Sequence, residues 1–185
     1  MGYTRRDLAM VMKSLQERGV DAVIIGDTSV KLALDESEFE DDLDLFILSH
    51  SPIADKHFFE ELVRELNWEI SSTEVGTPAL IVPIERGFLV VELYENYMDI
   101  DIPVEILEDV VDYRVDGVRV RSIRPEYYLV LKARQGVDLD RIKRYIEDLK
   151  HKGLNTKLIE YAVSLYPEDD RDVILERLRS CKLEI

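Results

Sequence analysis

The segment Asp42-Leu43-Asp44-Leu45-Phe46-Ile47-Leu48 leaves this chain few options. Side chains on a strand alternate between its two faces, so a strand here sends Asp42 and Asp44 to one side and Leu43, Leu45 and Ile47 to the other, into a core. Two carboxylates then share one small space. They repel unless something positive sits between them, and the usual resident is a hard divalent cation with oxygen ligands. The pair therefore reads as a metal site. Gly26 stands sixteen residues before Asp42, at the end of the short apolar run Val20 to Ile25, whose β-branched residues suit a buried strand. From Thr28 to Leu34 the chain can start a helix, capped by Asp27 or Thr28. Its first turn would present backbone N–H groups beside the strand, a place that suits phosphate.

A further acid comes from a later strand. Ala79 to Ile84 and Phe88 to Tyr94 read as a hairpin closed by Glu85-Arg86-Gly87. On the second of these strands Leu89, Val91 and Leu93 make one face, and Phe88, Val90, Glu92 and Tyr94 the other. A lone carboxylate in an apolar row needs a partner if it is buried. A metal shared with Asp42 and Asp44 would serve, and so would an arginine; a face open to solvent would remove the need. Asp99 and Asp101 also alternate and are rival donors of a third carboxylate. His50 and His57 flank a helix start at Ser51-Pro52, and their spacing fits surface or capping histidines rather than ligands.

Composition narrows the classes of function. The formal charge is -15 over 185 residues, which repels phosphate backbones at long range and disfavours extended DNA or RNA as a partner. The basic residues crowd into the second half, from Arg114 to Lys152, where solvated helix faces paired with acids are expected and a local basic strip able to hold a tRNA end is the other reading. Apolar residues make up 46% and charged residues 34%, and no run is long enough for a membrane span. Met1 to Arg6 leads into an amphipathic segment rather than an apolar signal region, and the single Cys181 suits a reducing compartment, so a cytoplasmic protein is expected. Three Asn and two Gln beside abundant Glu, Lys and Arg lean toward a thermophilic source.

The remaining pattern gives an α+β chain. Thr4 and Asp7 resemble a capping box for a helix over 5–18, and Ser51-Pro52 should start a second helix running to about Leu66. Glu36 to Asp41 reads as an acidic turn. Asp116-Gly117 between alternating runs predicts a hairpin. From Pro125 the period is helical, with helices over 125–135, 138–151, 155–165 and 168–180. The expected division is a mixed-sheet α/β core over 1–122 and a C-terminal helical domain over 123–185.

The order of strand, Gly turn, helix, acid-x-acid strand and later acid resembles the nucleotidyltransferase superfamily that includes polymerase beta and the kanamycin nucleotidyltransferases. The segment Arg124 to Arg134, followed by Asp138 and Asp140, is similar to the helix after the catalytic domain of small prokaryotic members, some of them components of toxin-antitoxin pairs. The resemblance spans about 20–140 and is anchored on Gly26 and Asp42-Leu43-Asp44. It implies that Asp42, Asp44 and Glu92 hold Mg2+ or Mn2+ and carry catalysis. It also implies that Gly26, Asp27, Thr28 and Ser29 hold a nucleoside triphosphate with help from Lys132, and that a nucleoside monophosphate passes to a hydroxyl of a small molecule, an RNA end or a protein. Two departures stand out. Asp27 occupies a position where the family has Gly or Ser, so it either opposes the phosphates or turns outward as a cap, and Glu92 replaces an Asp. The alternative implied by Asp27 is a catalytically degenerate module that binds a nucleotide or a partner protein.

Overall fold

Periodicity and caps set the elements. In this computed structural model, which describes residues 2–73, 76–98 and 100–185, β1 (Tyr3–Thr4) leads into α1 (Arg5–Gln16). The Thr4 side chain accepts from the Asp7 N–H and the Asp7 carboxylate accepts from the Thr4 N–H, a reciprocal cap. Then come β2 (Ala22–Ile24), α2 (Thr28–Ala33), β3 (Glu38–Phe39), β4 (Leu43–Ile47), α3 (Lys56–Leu66), β5 (Glu69–Ser72), β6 (Pro78–Ile84) and β7 (Gly87–Tyr94). The chain continues through α4 (Val104–Glu108), β8 (Val110–Val115), β9 (Val118–Ile123), α5 (Pro125–Gln135), α6 (Leu139–Lys150), α7 (Thr156–Ser164) and α8 (Glu168–Ser180).

Two compact units divide the chain. The first takes Met1–Asp101 and Val110–Ser122, the second Ile102–Asp109 and Ile123–Ile185. The first is built on a seven-stranded mixed sheet in the order β5-β6-β7-β4-β2-β9-β8, with β4 at its centre, parallel to β7 and antiparallel to β2. Leu43, Leu45, Leu89, Val91 and Leu93 are almost fully buried and share one core with Leu8, Val11, Met12 and Leu15 of α1 and with Phe59, Leu62 and Val63 of α3. Each such side chain contributes on the order of 1.5–3 kcal/mol by leaving water. One face of the sheet is thus spent on packing, and alternation sends the acids of β4 and β7 to the other face.

In the second unit α5 is buried nearly all round, and α6, α7 and α8 pack on it. Arginines close helix ends here. The Arg177 guanidinium donates to the carbonyls of Ala133 (2.8 Å) and Arg134 (2.7 Å) at the end of α5. Gly136, at φ 74°, lets it approach, since a Cβ there would lie 2.6 Å from the Arg177 Cζ.

Two local expectations are corrected. Ser51-Pro52 does not start the helix: the Asp55 carboxylate accepts from the Ser51 N–H and the Ser51 hydroxyl from the Ala54 N–H, closing a separate turn, so α3 begins at Lys56. The acidic segment before β4 is not only a turn, because Glu38 and Phe39 pair with Thr4 and Tyr3 in a two-stranded sheet.

Candidate functional site

The acids are placed by strand register. In the parallel β4–β7 pair Asp44 lies directly opposite Glu92, so their side chains leave the sheet on the same face. Asp42 stands just before β4, two residues ahead of Asp44 and near enough for the Glu92 charge to act on it. Asp42 is exposed, Asp44 and Glu92 half-buried. Their charges interact: partial burial, then the negative charges of Glu92 and Asp41, raise the Asp42 carboxyl above its ordinary value.

Gly26 permits the close approach on which the site depends. A Cβ at Gly26 would lie 2.2 Å from Asp44 Oδ2 and 2.8 Å from its Cγ, so only glycine leaves room for that carboxylate over the turn. The Ile25 N–H donates to the Asp44 carbonyl (3.0 Å), tying β2 to β4 at this point. The α2 turn is then locked from within. The Ser29 N–H (3.0 Å) and hydroxyl (2.6 Å) both donate to the Gly26 carbonyl, and the Thr28 hydroxyl is hydrogen-bonded to the Tyr3 phenol at 2.5 Å. Both hydroxyls are fully buried, so they serve the turn rather than face outward.

Asp27 takes neither of the orientations expected for it. It is helical at φ -64° and makes no side-chain cap. It is 6% exposed, and its carboxylate lies 3.7 Å from the ammonium of Lys31, one turn on, which also faces Glu40 at 3.5 Å. The buried Asp27 charge is therefore paired within the fold.

Glu92 has a partner that is not an arginine: the Tyr94 phenol donates to Glu92 Oε2. Burial first, then this hydrogen bond and the charges of Asp44, Glu92 and Asp42, hold the Tyr94 phenol protonated far above its ordinary range. Tyr3 is shifted the same way, by burial and by Asp27, Asp44 and Asp42, against the lowering effect of its bond to Thr28. Two tyrosines thus border the acids. Tyr94 was legible as the next residue on the face of Glu92; Tyr3 gave no local signal, since 25 residues separate it from Thr28.

The other candidates stand apart from this arrangement. Asp101 is exposed beyond the end of β7 and is not among the charges that raise Asp42 or Tyr94, and Asp99 lies outside the described residues. His50 stacks on Phe58 with ring centroids 3.9 Å apart, and His57 lies 3.7 Å from Glu61. Lys132 belongs to the second unit, half-buried on α5. Several arginines of the second half face acids: Arg119 with Asp112 and Arg124 with Asp109 at 2.8–2.9 Å, Arg134 with Asp170 at 2.9 Å, and Arg121 with Asp21. No helix of the described residues is long and apolar enough to cross a membrane.

A hard cation fits these donors by chemistry, since every acid on the face is an oxygen ligand. Among the described residues, however, no three His, Cys, Asp or Glu side chains already stand as a group able to hold a metal. Mg2+ is commonly bound through one or two carboxylates, with waters and substrate phosphates completing its shell, so a preassembled protein cage is not what it requires.

This sheet and its flanking helices have the fold of the nucleotidyltransferases. An antigenic nucleotidyltransferase-like protein from Paracoccidioides brasiliensis superposes with a TM-score of 0.61 at 15% identity, over 97% of this chain and 90% of that one. The antibiotic-resistance factor ANT(2″)-Ia aligns at a TM-score of 0.49 and 16% identity, over 95% and 91% of the two chains. No curated protein matches the chain in sequence. Residues 4–180 match the family described as nucleotidyl transferase of unknown function (DUF2204), and the chain belongs to that family.

Proposed function

We propose that this protein is a metal-dependent nucleotidyltransferase that moves a nucleoside monophosphate from a nucleoside triphosphate to a hydroxyl of a small molecule, an RNA end or a protein. The observation that carries the reading is the register of Asp44 against Glu92 on adjacent parallel strands, with Asp42 near enough for the Glu92 charge to act on it and Gly26 under the Asp44 carboxylate. Mg2+ or Mn2+, when bound, supplies charge neutralisation for the triphosphate and a lowered pKa for the acceptor hydroxyl. Asp42, Asp44 and Glu92 would hold it, Glu92 on the acceptor side.

The residues then divide the work. The turn at Gly26 to Ser29 places backbone next to the acids, and with its hydroxyls committed internally it would meet phosphates through backbone groups alone. Lys132 is assigned to the phosphates by the family resemblance. The acceptor oxygen attacks the α phosphorus in line, a new P–O bond forms, the bond to the β phosphate breaks and pyrophosphate leaves; Glu92 would also accept the acceptor's proton. The test is transfer of label from nucleoside triphosphates, with Mg2+ or Mn2+, to candidate acceptors. Asp42→Asn should remove at least about 100-fold of the rate, because it takes away one of the carboxylates that would hold the cation neutralising the reacting phosphate, and an unchanged rate would overturn the reading.

The buried Thr28 and Ser29 hydroxyls also favour a second reading, a degenerate module that binds a nucleotide or, as in toxin-antitoxin pairs, a protein. Calorimetric binding of nucleotide without any turnover would select it.

A further inference from the structure

Within the first unit, Glu92 and Tyr94 are two residues apart on β7 and leave the sheet on the same face. The Tyr94 hydroxyl reaches back to Glu92 Oε2. Tyr94 is in turn registered against Phe46 of β4, and Glu92 against Asp44, so the phenol is held beside the acids by two strands rather than by a loop. A carboxylate has two oxygens and about four lone-pair directions. A donor on Oε2 takes one of that oxygen's two lone-pair directions and restrains the carboxylate, so Oε1, with both of its own directions open to a ligand, becomes the oxygen better suited to a cation.

We infer that Tyr94 is a positioning residue: by donating to Glu92 Oε2 it presents Glu92 to the divalent cation through Oε1 alone. The inference rests on the metal site proposed above. Outer partners of this kind govern metal affinity, and their loss commonly costs 10–100-fold. Tyr94 touches no reacting atom; it acts through Glu92.

The experiment is a double-mutant cycle with Mn2+ alone as the probe, free ion being counted by electron paramagnetic resonance on the full-length chain. Glu92→Gln should weaken Mn2+ binding, Tyr94→Phe should weaken it by about 10-fold, and the pair together should bind no worse than Glu92→Gln. If Glu92→Gln weakens binding while Tyr94→Phe leaves it unchanged, tightens it, or lowers it equally in both backgrounds, the positioning role is overturned and the metal site stands. If Glu92→Gln has no effect, the site reading for Glu92 fails and this inference falls with it. Infrared difference spectra of wild type against Glu92→Gln on adding Mn2+ give a readout that needs no Tyr94 variant to fold. The widely split carboxylate stretches of one-oxygen binding support the role, and the narrow splitting of two-oxygen binding overturns it.

Discussion

Asp42 and Gly26 show what single residues give up for this site. The Asp42 carboxyl is raised by partial burial and by Glu92 and Asp41, so the folded protein holds its proton more tightly than the unfolded chain does. Between the unfolded value, near 3.9, and the raised folded value the unfolded state binds fewer protons, and stability falls as pH rises through that window. Below it the effect is absent. Asp42→Asn should therefore raise the melting midpoint of the metal-free protein at neutral pH only slightly, by about 1 °C or less, because Asp42 is exposed and solvent screens its charge, with the gain vanishing below about pH 4. Calorimetric melts in chelator across that range check it. Gly26 is constrained sterically: an added Cβ meets the Asp44 carboxylate at 2.2 Å. Gly26→Ala should cost about 1–3 kcal/mol in urea unfolding and displace Asp44, so Mn2+ binding should weaken with it; a variant as stable and as tight as wild type would contradict the geometry.

At the scale of elements, ion pairs and caps hold ends that packing leaves loose. Asp109 follows α4 and accepts both guanidinium nitrogens of Arg124, each at 2.9 Å, just before α5, with the Tyr127 phenol donating to it at 2.5 Å. The Arg124 hydrogen bonds, then that of Tyr127, hold the Asp109 carboxyl below its ordinary value against a smaller opposing effect of burial. A depressed carboxyl contributes stability above its unfolded value and loses it as pH falls through the folded one. Asp109→Asn should therefore lower the unfolding midpoint at pH 7, modestly because both partners are part-exposed, and the two proteins should converge below about pH 4. A gap that persists in acid would mean packing, not charge, links α4 to α5. These elements also show what a sequence discloses. The strand acids, the β6–β7 turn and the helices of the second unit follow from alternation, from turn residues and from 3.6-residue spacing, which are local. What was missed is local geometry with a competing answer or contact over distance. Ser51-Pro52 could cap a helix but closes a turn onto Asp55; β1 and β3, two residues each, are too short to carry a period. The Tyr3–Thr28 bond and the turning of Asp27 toward Lys31 depend on how α2 packs, which no spacing reveals.

The whole molecule carries a formal charge of -15, and its proposed substrate is itself a polyanion. At about 0.15 M salt the Debye length is ~8 Å, so only nearby charges act strongly on a docked nucleotide, whereas at low salt the entire acidic surface repels it. A nucleic-acid enzyme that gathers its substrate with a basic strip loses affinity steeply as salt rises, because cations are released from the phosphates it neutralises. Three arginines of the basic second half face acids instead: Arg119 with Asp112, Arg124 with Asp109, Arg134 with Asp170. The expectation is therefore opposite in sign. With Mg2+ held saturating, calorimetric affinity for a nonhydrolysable nucleoside triphosphate should stay level or rise as monovalent salt goes from about 50 to 200 mM, since screening relieves long-range repulsion. A fall of 10-fold or more over that range would point to an uncompensated basic surface, and with it to an RNA end as the acceptor. A level or rising curve would favour an acceptor that is neutral or cationic, one that this acidic surface does not repel.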